Sequence, residues 1–113
     1  MRMRKSELKP IAEISDILGI SATGRKILNL LVRTRKKLSV SEIIKRVKKS
    51  ERSVRAHLKA LTKLKLIRRE ITITKKGKLA YRYFVSRAGD LVKSVREETL
   101  RRLRDLEKYV KWS

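Results

Sequence analysis

Ser50-Glu-Arg-Ser-Val-Arg-Ala-His-Leu-Lys-Ala-Leu61, running on through Thr62-Lys-Leu64 to Leu66-Ile67, is the stretch on which the fold turns. Val54, Leu58, Leu61 and Leu64 recur at intervals of four, three and three, which sets them on one helical face. Ser50 is the residue type that caps such a helix, because its hydroxyl can accept from a free backbone N–H of the first turn. The outer face carries Arg52, Arg55, Ala56 and Lys59. The spacing therefore predicts an amphipathic helix over 50–64, apolar on one side and cationic on the other.

Upstream, the pattern predicts three further helices. Leu8, Ile11, Ile14, Ile17 and Leu18 recur at helical spacing over about 10–18, with Pro10 suited to a first turn and Gly19 to the left-handed residue that ends a helix. Ser21 suits the cap of the next helix, whose stripe is Ile27, Leu28, Leu31 and Val32 and which dissolves in Arg33-Thr-Arg-Lys-Lys37. Ser41 suits the cap of a third, with Ile43, Ile44 and Val47 inward, and Lys48-Lys-Ser50 makes a short polar break before 50–64. Two helices joined by a few residues, the second with a basic outer face, have the form of a helix-turn-helix.

Downstream, the period falls to two. Ile67, Ile71 and Ile73, the turn Lys75-Lys-Gly-Lys78, and Leu79, Tyr81, Tyr83 and Val85 predict a β-hairpin with a lysine-studded tip and with Tyr81, Tyr83 and Phe84 in the hairpin's packing. After Arg87-Ala-Gly89, Asp90 suits the cap of a long last helix. Its seam is Val92, Val95, Thr99, Leu103, Leu106 and Val110, with Leu91 and Leu100 alongside. That seam is longer than so small a domain can cover, so it is expected to pair with a second copy. The class is mainly α with a small β-hairpin (α+β), organised as 1–89 and a pairing helix over 90–113.

The 113 residues hold 33 Lys and Arg against 11 Asp and Glu, a net charge of +22. Residues 1–89 carry 26 basic and 6 acidic side chains, and residues 90–113 carry 7 and 5. An excess this large self-repels and calls for a polyanion, and it belongs to the globular part. No apolar run approaches the ~20 residues of a membrane span. The basic start, Met1-Arg-Met-Arg-Lys5, leads into Ser6, Glu7 and Lys9 rather than an apolar segment and does not read as a signal peptide. A cytoplasmic, nucleoid-associated protein is expected. Gln is absent, Asn29 is the sole Asn, and charged residues make up 39%, a profile that suits a hyperthermophile.

Little here can carry chemistry. With no cysteine and His57 as the one histidine, disulfides, zinc fingers, thiol nucleophiles and multi-histidine metal sites are excluded, and no cofactor is expected. Glu97 and Glu98 diverge on a helix and pair instead with Arg101 and Arg102 at i, i+4. Gly19, Gly24, Gly77 and Gly89 are too isolated for a phosphate loop. His57, beside the apolar face of its helix, reads as a partly buried packing or capping residue.

The order helix, helix, basic helix and hairpin, with 50–61 followed by Leu66-Ile67, resembles the recognition-helix signature of small prokaryotic and archaeal winged-helix regulators. Ile17-Leu-Gly-Ile-Ser21 and the long helix after the wing are most similar to archaeal regulators of the TrmB and Lrs-like kinds, with MarR and ArsR types more distant. The resemblance covers about 14–112. It implies a winged helix-turn-helix dimer with 50–64 in the major groove, 75–78 on the backbone or minor groove, and the terminal helix pairing two subunits. Arg52 and Arg55 then suit guanine edges, and Ser50, Ser53 and Lys59 suit phosphates, with Ala56 and Lys63 on the same face; Lys75, Lys76 and Lys78 reach the flanking DNA. Those families place Gly where Lys65 stands, which predicts a differently built turn into the wing. The expected function is a homodimeric, sequence-selective transcription regulator on double-stranded DNA. A weakly selective nucleoid-organising protein and an RNA-binding winged helix are the alternatives.

Overall fold

Alternating caps and apolar stripes fold the chain into eight elements, which the computed structural model describes over residues 5–110, with side chains from Pro10 onward except Ala88. They are α1 (Lys5–Leu18), α2 (Ala22–Thr34), β1 (Leu38–Ser39), α3 (Val40–Val47), α4 (Glu51–Lys63), β2 (Arg68–Ile73), β3 (Leu79–Phe84) and α5 (Ala88–Tyr109). The α+β class and the order of four helices, hairpin and long last helix are as expected.

The helix starts show where cap chemistry was readable. Ser21 and Ser50 cap α2 and α4 through bonds from the N–H groups of Gly24 and Ser53. The third cap is Ser39, not Ser41. Its Oγ accepts from Glu42 N–H at 3.2 Å while the Glu42 carboxylate accepts from Ser39 N–H at 3.1 Å, so two free donors are satisfied reciprocally. The Ser39 backbone N–H, and then its hydroxyl, hold the Glu42 carboxyl below its ordinary range. Asp90 likewise lies inside the first turn of α5, where a carboxylate suits the helix dipole, and Arg87 occupies the cap position without a side-chain bond. Pro10 sits deeper than a first turn, since α1 is already helical at Lys5. Leu8 and residues 111–113 lie outside the described side chains.

Helix ends are closed by left-handed residues. Gly19 does this after α1, as expected, with φ +70°, but Arg35, Lys48 and Lys65 adopt φ +55°, +55° and +61°. Lys65 corrects the expectation of a differently built turn. Its N–H donates to Thr62 O at 2.9 Å and that of Leu66 to Leu61 O at 3.1 Å, the paired closure ordinarily built around glycine.

Ile27, Leu28 and Leu31 of α2, Ile43 of α3, and Val54, Leu58 and Leu61 of α4 make the center of the core, sealed by Leu66 and Ile67 beyond α4. Each such side chain contributes roughly 1.5–3 kcal/mol on burial. Ile17, expected on the inner stripe of α1, is exposed. The sheet is antiparallel with order β1-β3-β2. β1 was not anticipated; it pairs Leu38 with Tyr83 and Ser39 with Arg82, tying the hairpin base to the helices. Gly77, at φ +76°, donates to Thr74 O and closes the tip. The hairpin's alternation holds, with Ile67 and Val85 at its base on the core; within β2 and β3 only Tyr83 is buried, while Ile71, Ile73, Leu79 and Tyr81 stay exposed because no described element covers the outer part of the ribbon.

α5 divides in two. Leu91 is buried and Val95 packs on the core, whereas every residue from Arg101 to Val110 is exposed, and the molecule measures 61 × 33 × 24 Å. Glu98, its side chain 12% exposed, accepts from Arg101 and Arg102, and Arg102 also donates to Leu18 O at the end of α1.

Candidate nucleic-acid interface

α4 is pinned from below and open above. Val54 and Leu58 anchor its inner face, and Ser50 Oγ holds the first turn by accepting from Ser53 N–H at 3.1 Å. The opposite face presents Arg52, Arg55, Ala56, Lys59 and Lys63, all exposed, together on one side. Ser53 is half-buried, with its hydroxyl 3.4 Å from His57 Nδ1. His57 Nδ1 donates to Ser53 O at 2.7 Å, which fixes the ring on its own helix as the packing reading anticipates. His57 also lies close to Gly24, where an added Cβ would stand 3.6 Å from His57 Cδ2 and 2.8 Å from Ile20 Cγ2. The glycine therefore leaves room for the Ile20 side chain against the start of α2, while His57 of α4 would meet the added atom at ordinary contact distance.

The two arginines differ. Arg55 Nε donates to Glu51 Oε2 at 3.1 Å, a one-turn pair in solvent. Arg52 has no intramolecular partner among the described residues. Its charge sits in the first turn, at the positive end of the helix dipole, where a cation is unfavourable for the helix. Stability of α4 does not account for it.

On the hairpin, Lys75, Lys76 and Lys78 stand exposed around the tip. Glu70 is the sole acid of the hairpin, and Lys37 Nζ neutralises it at 2.9 Å while also lying 5.1 Å from the Phe84 ring center. The Arg69 guanidinium lies over the Tyr81 ring at 4.2 Å, a cation–π contact absent from the sequence reading. On α5, Val92, Leu103, Leu106 and Val110 are exposed, with Leu100 beside them. Val95 serves the domain's own core, and Thr99 is half-buried, bonding back to Val95 O. Among the described residues no group of three or more His, Cys, Asp or Glu is placed to hold a metal ion, and no helix is long and apolar enough to cross a membrane.

Residues 22–69, from α2 into β2, match the model of the arsR family of bacterial regulatory proteins. The fold is the winged helix of transcription regulators. A possible transcriptional regulator from Methanosarcina mazei superposes on this winged helix with a TM-score of 0.69 at 13% identity, over 93% of this chain and 89% of that one. The ST1889 protein of the thermoacidophilic archaeon Sulfolobus tokodaii gives 0.64 at 23% identity, over 93% and 99%. A mutant MepR of S. aureus bound to an oligodeoxyribonucleotide gives 0.53 at 19% identity, over 96% and 78%. No curated protein sequence matches the chain. In the terms of this fold, α4 holds the place of the second helix of the helix-turn-helix and β2 with β3 that of the wing.

Proposed function

We propose that the protein regulates transcription as a homodimer on double-stranded DNA, with sequence selectivity residing in α4. The recognition helix lies in the major groove, Lys75, Lys76 and Lys78 touch the backbone or the flanking minor groove, and the free half of α5 pairs two copies. This pairing sets two recognition helices ~34 Å apart on a near-palindromic site. Residues 1–89 bind and 90–113 pair, in the cytoplasm at the nucleoid, with no cofactor. The observation that carries the reading is Arg52: exposed, without an internal partner among the described residues, and placed where the helix itself does not want a cation.

The test is a site selected from a random duplex library, measured against unselected duplex. Arg52→Ala is expected to cost about 1–3 kcal/mol on the selected site and little on random sequence, whereas Lys76→Ala weakens both alike. A second reading, a nucleoid-organising protein of weak selectivity, is favoured by the tie between Arg55 and Glu51 and by cations extending well beyond α4. Equal losses on all sequences establish that reading in place of the first. Preference for A-form RNA at matched salt displaces both.

A further inference from the structure

The wing carries an apolar face that nothing among the described residues covers. Ile71, Ile73, Leu79 and Tyr81 are 62%, 70%, 75% and 39% exposed, and the register sets them opposite one another as Ile71 with Tyr81 and Ile73 with Leu79. Strand alternation puts all four on one side of the ribbon, the side that carries Tyr83 into the core at its base. Contiguous apolar surface on a small soluble chain marks a contact site.

The rim of this face decides what it contacts. Arg69 lies over Tyr81, and Lys75, Lys76 and Lys78 surround the tip, while Glu70 is on the other side of the ribbon and already paired with Lys37. A second copy brought face to face would oppose these cations with their like. A surface that is apolar along its middle and anionic along both borders complements the whole face. The minor groove of duplex DNA is such a surface, with deoxyribose and base edges between two phosphate rows.

Dimensions add a consequence. The minor groove of B-DNA is ~6 Å wide, and the two strands of the ribbon are ~4.8 Å apart before side chains are added, so the ribbon cannot enter undeformed duplex. Apolar side chains at a base step open that groove by bending the helix toward the major groove. We propose that the wing seats its Ile73 and Leu79 pair in the minor groove and bends the DNA. The proposal rests on the duplex-DNA reading above and deepens it: the wing deforms the duplex as well as neutralising phosphates.

Ligase-catalysed ring closure of a mixed-sequence duplex of ~150 bp, about one persistence length, tests this. Anisotropy titration of the same duplex and sedimentation of the free protein accompany it. The variant Ile73→Thr with Leu79→Thr keeps every charge and a strand-forming residue type at both positions. Wild type is expected to accelerate closure roughly tenfold and the double variant less than about twofold, with affinities within about fivefold of each other at matched salt. Equal acceleration by both proteins overturns the proposal. Duplex binding by wild type without acceleration overturns bending but leaves the DNA reading intact, and absence of duplex binding overturns both. A smaller sedimenting species for the free variant than for wild type assigns the face to a second copy and overturns the proposal as well. Circular dichroism melts identify loss of folding, in which case Leu79→Thr alone carries the comparison.

Discussion

Lys65 stands where a chain normally uses glycine, and the backbone does not yield: φ is +61° and both closing hydrogen bonds of the helix end are made. A side chain in that conformation costs about 1 kcal/mol or more, partly offset here because a cation near the C-terminus of α4 complements the helix dipole. Lys65→Gly is therefore expected to raise the stability of the isolated protein by roughly 0.5–1 kcal/mol, read as a later denaturant midpoint at unchanged slope. A lower midpoint would show that the dipole contribution and the stiffer unfolded chain outweigh the strain. Arg35 and Lys48 repeat the arrangement at the ends of α2 and α3. Sequence patterning reads basic residues at such positions as part of a charged surface, and their backbone role emerges only with the dihedrals.

At the scale of elements, the recognition helix and its exposed face were legible because a period of three and four, a serine cap and a run of cations all coincide between Ser50 and Leu64. The cap of α3 was misplaced by two residues, although Ser39 followed by Glu42 carries the reciprocal capping signature that Ser41 lacks. β1 was illegible for a different reason: two residues hold no period, and Leu38 and Ser39 become a strand through pairing with Tyr83 and Arg82 far along the chain. Alternation likewise told which wing residues share a face, but not that the face lacks a cover. For α5 the same distinction matters. Leu103, 48% exposed in its own chain, is expected to be buried between copies, so wild type should sediment at the mass of two chains at tens of micromolar. Leu103→Lys should sediment as one chain with an unchanged melt of the winged domain, and a monomeric wild type would remove the paired geometry. Glu98 supplies a pH signature on the same helix. Its bonds from Arg101 first and Arg102 second lower the carboxyl from 4.5 to about 2. A depressed folded value stabilises the fold above the unfolded value, and that contribution is lost as pH falls from about 4.5 through about 2. Glu98→Gln should melt lower at neutral pH and lose less on acidification across that window, measured by melts at matched salt.

For the whole molecule, charge sets the thermodynamics of any duplex complex. If about six to ten phosphates are neutralised per dimer, log K should fall with log salt at a slope of roughly −5 to −9, and a slope near −1 would mean that the cationic face is not the binding face. The distribution of that charge is matched by the way the parts are joined. Ser94 Oγ, on the anchored half of α5, donates at 2.9 Å to Lys65 O, the carbonyl at the vertex where the recognition helix hands over to the wing. Arg102 reaches Leu18 O one helix away. α5 is thus fastened at two points, by Ser94 in its inner turns and by Arg102 at the start of its exposed outer turns, and the first of these fastenings is the junction between helix and hairpin. A load placed on α5 would therefore be felt first at the Lys65 carbonyl, the joint that sets how α4 meets the hairpin.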